Sequence, residues 1–272
     1  MARIRAGVIN VTGYIGAELA RLLHQHPQVK LVAVTGRSAA GQKLGDVFPS
    51  LAETNHTIRA ELDREVDVAF SAMPHKSSTD AVAPLLKQGV RVVDASADFR
   101  LKNAGDYAKW YGFTHPLPRL LRQAVFGLAE LHKDEIASAA LVANPGCYST
   151  GATLALAPLV KQGLIHPNMI VDSKSGVSGA GRTLGLTTHY SEVNDDICAY
   201  SLEGHRHLPE IEQELKELDP SLSFSVTFIP HLVPMTRGIL STCYAKSVDG
   251  CRLTTDSLKQ VYLEFYRHAP FI

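Results

Sequence analysis

The sequence has no net charge: its 272 residues include 27 lysines and arginines against 27 aspartates and glutamates. Without a field of one sign there is little to recruit nucleic acid or an anionic membrane, although local anion sites remain open. No run approaches the ~18 apolar residues of a membrane span, and no basic-then-apolar leader precedes the first β-prone segment. The four cysteines, Cys147, Cys198, Cys243 and Cys251, show no CxxC spacing. In a chain of this size they read as thiols in a reducing cytoplasm, the expected location, and not as a disulfide framework. Internal repeats and low-complexity stretches are also lacking. What remains is the composition of an ordinary globular enzyme, 45% apolar and 20% charged, long enough for a substantial core.

What is present is alternation. Residues 4–11 (IRAGVINV) are β-prone, 17–24 (AELARLLH) have amphipathic helical spacing closed by Pro27, and 29–35 (VKLVAVT) form a second strand. Strand, glycine turn, helix and strand within about thirty residues make a right-handed βαβ unit. The pattern continues with a strand at 66–72, a helix at 78–89 and strands at 91–95 and 141–143, before helical periodicity resumes over 148–162. Residues 1–148 are therefore expected to form an α/β, Rossmann-type domain with a parallel sheet. Beyond it, 170–175, 223–229 and 238–246 read as longer strands, with helices at 208–218 and 255–268. Residues 149–272 are expected to be an α+β domain with a mixed or antiparallel sheet. The glycine-rich polar segment 176–204 is too long for an idle loop.

The decapeptide GVINVTGYIG, residues 7–16, is a spaced variant of the dinucleotide fingerprint. Gly13 would let the backbone approach a pyrophosphate, Gly16 would allow tight helix packing, and the amides of the helix start would face the phosphate, with Tyr14 and Ile15 between the glycines counted in the cofactor site. At the end of the second strand, where NAD sites place a carboxylate, stands Thr35-Gly36-Arg37-Ser38. Arg37 and Ser38 suit a 2′-phosphate, so NADP is the expected cofactor; an exposed loop arginine is the structural alternative. Ser71 and Pro74, after a later strand, fall where a sheet edge would meet the nicotinamide half.

Asn144-Pro145-Gly146-Cys147 is a turn that delivers a cysteine to the start of a helix. Helix amides and dipole favour the thiolate, the reactive form, whereas most buried cysteines are small hydrophobes. A proton-transfer partner is available in GHRHLPEI, residues 204–211: His207 just before a helix, with Glu210 three residues on to hold its tautomer, and His205 as the rival. The HRH spacing offers no second ligand pair, so no metal is expected.

These runs, NPGCYST with SGVSGAGR (175–182), GHRHLPEI, HLVPMTRGIL (231–240), DASADFRL (94–101) and YGFTHP (111–116), resemble N-acetyl-gamma-glutamyl-phosphate reductase, collinearly along the chain. The resemblance implies NADPH-dependent reduction of an acyl phosphate to an aldehyde in arginine biosynthesis. Cys147 would be the nucleophile and His207 the acid/base, assisted by Glu210. The loop carrying Ser178 and Gly179 would wrap the cofactor. Asn144, Arg100, Arg182 and His205 would face the substrate, with Arg100 equally suited to a structural salt bridge. Members commonly form dimers or tetramers through the second-domain sheet. Two departures stand out: Ser149 replaces a proline frequent in the family, and members run some tens of residues beyond Pro270, so the second domain is expected to be C-terminally incomplete. The competing readings are a carrier-linked aminoadipyl-phosphate reductase, an aspartate-semialdehyde dehydrogenase, a cysteine hydrolase using Cys147 and His207, and an inactive NADP-binding fragment.

Overall fold

The computed structural model describes residues 2–62 and 65–272. Its contacts divide the chain into two compact units, Met1–Pro145 and Gly146–Ile272.

The first unit carries six strands: β1 (Ile4–Ile9), β2 (Val29–Val34), β3 (Val68–Ser71), β4 (Arg91–Asp94), β5 (Val125–Phe126) and β6 (Leu141–Ala143). They form one sheet in the order β2-β1-β3-β4-β6-β5, every pairing parallel. Parallel strands need crossovers, and the longer ones contain α1 (Tyr14–Gln25), α2 (Ser78–Lys87) and α3 (Ala129–Ser138). Ala6, Val8, Val34, Ala69 and Ala143 are sealed from solvent, as expected of strands covered on both faces. Each fully buried valine or leucine side chain of this core contributes roughly 1.5–3 kcal/mol.

The region 102–140 holds more structure than its sequence suggested. Short helices at Asp106–Tyr111 and Pro118–Leu121 precede β5 and α3. Elements this short carry too few periodic positions to be read from pattern, and α3 buries no residue and is kinked at His132 (φ −121°).

One network fixes the carboxyl ends of β3 and β4. The Asp98 carboxylate accepts the backbone N–H groups of Lys76, Ser78 and Thr79 at 2.7, 3.0 and 3.4 Å. It therefore caps α2 from a loop twenty residues away, while the helix's own N-cap residue, Ser77, makes no side-chain cap. Beneath it, the Ser78 and Ser96 hydroxyls donate to the Asp94 carboxylate at 2.6 and 2.5 Å. Burial pushes the Asp94 carboxyl above the usual range, and the serine bonds pull it back.

The second unit has a four-stranded mixed sheet in the order β10-β7-β9-β8, built from β7 (Ile165–Gly176), β8 (Cys198–Ala199), β9 (Ser225–Val233) and β10 (Ile239–Ser247). β7 and β9 are parallel, and both outer pairings are antiparallel. β7 starts five residues before the expected strand and contains Pro167. The proline is accommodated just ahead of the β9 pairing, which begins at Asn168, and opposite a register shift in β10 between Ala245 and Ser247. Alternation along β7 buries Met169, Val171, Ser173 and Ser175. Those residues face the side packed by α4 (Cys147–Lys161) and α5 (Leu208–Leu218), whose Leu156, Ile211 and Leu215 join the same core.

The last helix, α6 (Thr255–Phe265), is fastened by tyrosines. Pro158 within α4 has no N–H for the Leu154 carbonyl, and the Tyr266 hydroxyl donates to that oxygen at 2.6 Å. Tyr262 donates to the neighbouring Ala155 carbonyl.

Asp98→Ala leaves three amides of the α2 start without their acceptor. It is expected to lower stability by about 2 kcal/mol, read as a reduced urea midpoint, with Asp98→Asn recovering part of the loss.

Candidate functional sites

In the first unit, a cleft of about 550 Å³ is lined by Asn10, Thr35, Arg37, Ser38, Met73 and Pro74, among others. Gly13, Tyr14, Ile15 and Gly16 are not among its lining residues, but three features of the turn that begins at Asn10 suit a dinucleotide. Asn10 adopts a left-handed φ of 62° after β1 and donates from Nδ2 to the Ala72 carbonyl at 2.8 Å, so the turn is locked. A Cβ at Gly16 would lie 2.4 Å from the Asn10 carbonyl oxygen and 2.7 Å from Val11 Cα, so α1 reaches this close only with glycine there. At Gly13, by contrast, a Cβ would meet nothing within 4 Å, leaving open space at the helix start for a phosphate group. Tyr14 and Ile15 occupy the first turn and are largely exposed.

Two expectations change here. Ser71 is fully buried, its hydroxyl 2.8 Å from that of Ser78, so its side chain belongs to the Asp94 network and not to the cleft. Arg37 does line the cleft, but a carboxylate is present after all: Glu61 Oε1 lies 3.4 Å from the Arg37 guanidinium. Its position 24 residues downstream hid it from a reading confined to the strand end. Arg100 is also committed. Its guanidinium donates to the carbonyls of Asn144 and Ala95 at 2.8 and 2.9 Å, which steadies the turn before Cys147. Asn144 itself is exposed, its backbone N–H bonded to the Asp94 carbonyl at 2.8 Å.

In the second unit, a cavity of about 410 Å³ is lined by Cys147, Tyr148, Gly179, His205, Arg206 and His207, with others. Cys147 is the first residue of α4, exposed, with Gly146 as N-cap. Beneath it the Gly146 N–H donates to Glu210 Oε2 at 2.8 Å, and the Ser149 hydroxyl donates to the same oxygen at 2.6 Å. Glu210 and Ser149 are both fully buried. Glu210 is expected to orient the imidazole; the bonds its Oε2 accepts tie the start of α4 to α5. Ser149, the residue that replaces the family's proline, is part of that tie.

The His207 ring lies over Gly146: a Cβ there would fall 2.5 Å from Nε2 and 2.6 Å from Cδ2 and Cε1. His205 lies deeper, edge-on to Tyr148, Tyr200 and Phe228. Its Nδ1 accepts the His207 backbone N–H at 3.0 Å, so the neutral ring carries its proton on Nε2. Burial, reinforced by His207 and Arg206, lowers its pKa to about 3. A histidine that stays neutral and spends one nitrogen on the backbone is a wall of the site. Burial also pushes the Tyr148 and Tyr200 phenols up, keeping them protonated donors: Tyr200 donates to Tyr148 at 2.8 Å and Tyr148 to the His231 carbonyl at 3.3 Å.

Of the loop residues expected around the ligands, Gly179 lines the cavity while Ser178 and Arg182 are not among its lining residues. Arg206, which the sequence reading passed over, is the cation that lines it. No metal was expected at the HRH run, and the pair His205 and His207 pack edge to face, with ring centroids 4.6 Å apart.

Residues 5–139 match a family described as semialdehyde dehydrogenase, NAD binding domain, and residues 147–272 match semialdehyde dehydrogenase, dimerisation domain. An N-acetyl-gamma-glutamyl-phosphate reductase from Dehalococcoides mccartyi is 53% identical over 272 residues, covering 100% of this chain and 79% of the relative. One from Heliobacterium modesticaldum is 46% identical, covering 99% and 79%. Among solved structures, aspartate semialdehyde dehydrogenase with NADP from Candida albicans superposes with a TM-score of 0.67 at 18% identity, covering 96% of this chain and 76% of that one. Aspartate semialdehyde dehydrogenase II from Vibrio cholerae gives 0.69 at 16% identity, covering 95% and 78%. At such identities these two structures speak to the fold alone.

Two outcomes are expected from this geometry. Gly146→Ala must push the imidazole aside while the protein remains folded by circular dichroism, and turnover should fall about 100-fold, as for a displacement near 1 Å. His205 has a folded pKa near 3, below its unfolded value of 6.5, so the unfolded chain binds the extra proton. Stability is therefore complete above about pH 6.5 and drains away as the pH falls towards 3, by up to ~1.4 kcal/mol per pH unit. Urea midpoints across that window should fall less steeply in His205→Asn than in the parent.

Proposed function

The chain belongs to the N-acetyl-gamma-glutamyl-phosphate reductase family, and from that membership we propose that it reduces N-acetyl-L-glutamyl 5-phosphate to N-acetyl-L-glutamate 5-semialdehyde and phosphate with NADPH, a step of arginine biosynthesis. The observation that carries the proposal is Cys147 exposed at the start of α4, in one cavity with His207.

His207 accepts the Cys147 thiol proton, and the thiolate attacks the acyl carbon. The bond from that carbon to the phosphate oxygen breaks, phosphate leaves with the electron pair and the proton from His207, and a Cys147 thioester remains. NADPH, when bound, supplies the hydride that reduces this acyl group. As the carbonyl of the aldehyde re-forms, the carbon–sulfur bond breaks and Cys147 departs as the thiolate, which receives a proton from His207 once that imidazole has been reprotonated from water. Glu210 and Ser149 hold the start of α4 so that its amides face the developing charge. Arg206 provides a cation for the anionic substrate. On the cofactor side, Gly13 to Gly16 would receive the pyrophosphate, Arg37 and Ser38 the 2′-phosphate, and Pro74 the wall beyond it.

The chain is further read as a homo-oligomer, formed through the sheet face opposite α4 and α5. Ile170, Leu240 and Tyr244 stand exposed there, on strands of the unit that matches a dimerisation domain. Among the described residues no helix is long and apolar enough to cross a membrane, and no disulfide forms. An exposed catalytic thiol is best served by a reducing compartment, so the cytoplasm is the proposed location.

The test runs the reaction backwards. N-acetylglutamate semialdehyde, phosphate and NADP should yield NADPH absorbance, dependent on phosphate and absent in Cys147→Ser. His207→Asn should lose between about 100- and 10,000-fold and His205→Asn less. Wild-type rates in Cys147→Ser would sink the covalent route.

A further inference from the structure

The carboxylate beside Arg37 is placed by backbone register. Beyond the end of β2 the chain continues to pair: Thr35 forms a parallel bridge with Arg59. The Gly36 N–H donates to the Arg59 carbonyl at 2.8 Å, and the Arg59 N–H to the Val34 carbonyl at 3.0 Å. Two residues on along both segments stand Arg37 and Glu61, which the register therefore sets opposite each other. Their side chains meet at 3.4 Å, both line the dinucleotide cleft, and both are largely exposed, 82% and 76%. A pair so exposed is weakly held, so either partner can turn to a ligand.

The two groups favour different ligands. A guanidinium rewards a 2′-phosphate. A carboxylate repels that phosphate, and it accepts hydrogen bonds from a free ribose hydroxyl, the function an acidic residue serves at the end of the second strand in NAD sites. We propose that Glu61 is a specificity-determining residue of the dinucleotide site, which moderates the preference for a 2′-phosphate conferred by Arg37 and lets the site take the unphosphorylated cofactor as well. The proposal rests on the cofactor site assigned above. The charge that decides between the two dinucleotides is supplied by the segment following β2, not by the strand end itself.

Binding can be read without catalysis, by titrating the protein with NADPH and with NADH and following nucleotide fluorescence. Glu61→Gln removes only the charge from an exposed side chain. It should raise the ratio of NADPH to NADH affinity about fivefold, with most of the change in NADPH, and the gain should shrink at 1 M salt as the charges are screened. Arg37→Ala should reverse the preference for NADPH. In the Arg37→Ala background, adding Glu61→Gln should still tighten NADPH by removing repulsion while weakening NADH. An unchanged affinity ratio in Glu61→Gln, with Arg37→Ala still weakening NADPH, overturns the role of Glu61 alone. If Arg37→Ala also leaves NADPH binding intact, the placement of the 2′-phosphate at this cleft fails with it.

Discussion

A single carboxylate oxygen, Glu210 Oε2, receives the Gly146 amide and the Ser149 hydroxyl, and the second unit's chemistry depends on that contact. A buried carboxylate is costly unless its lone pairs are met, so the donors and the acceptor hold one another in place. Because Glu210 projects from the first turn of α5, the bond makes the position of Cys147 a consequence of how α4 and α5 pack. That packing is fixed in turn by Ile211 and Leu215, both fully buried, against Tyr148 and Leu156. The nucleophile thus stands exposed on a base that is itself core. His207, at the N-cap of the same α5, is carried to Gly146 by the same docking. One helix pair therefore supplies the thiol, its proposed base and the strap between them.

The dinucleotide cleft is built differently. No buried carboxylate holds a ligating side chain there; the backbone does the positioning. Asn10 takes the left-handed conformation, Gly16 admits α1 against the turn, and Asp98 completes the α2 N-terminus from outside the helix. The charged groups at the cleft, Arg37 and Glu61, are left on the surface. This division suits their tasks: a nucleophile must be held to a fraction of an ångström, whereas a phosphate ester can be met by mobile charges.

The parallel sheet and the cysteine turn were legible because each is written locally. A strand, glycines and an amphipathic helix occupy consecutive residues, and so do Pro145, Gly146 and Cys147. What escaped was non-local. Glu61 reaches Arg37 only through a bridge between segments 24 residues apart, and Ser149 reaches Glu210 across 61. Ser71 was misplaced for the related reason that a strand end has two sides, and only packing tells which one a side chain takes. Pro167 and Pro158 show tertiary context overriding a local signal, since a register shift accommodates the first and the Tyr266 hydroxyl meets the carbonyl stranded by the second.

Ser149 marks where the resemblance to the family and the physics of this chain part company. A proline at that position, in the first turn of α4, would cost nothing in helix bonding, because first-turn amides have no intrahelical acceptor. It would stiffen the turn by fixing φ but could donate nothing to Glu210. The serine of this chain gives up that stiffness and supplies a hydroxyl 2.6 Å from Oε2 and 2.9 Å from the Gly146 carbonyl. The turn that presents Cys147, the proposed nucleophile, is thereby held through a side-chain bond to another helix. In this chain two donors, the Gly146 amide and the Ser149 hydroxyl, meet on one carboxylate oxygen, and the turn that presents Cys147 hangs on it.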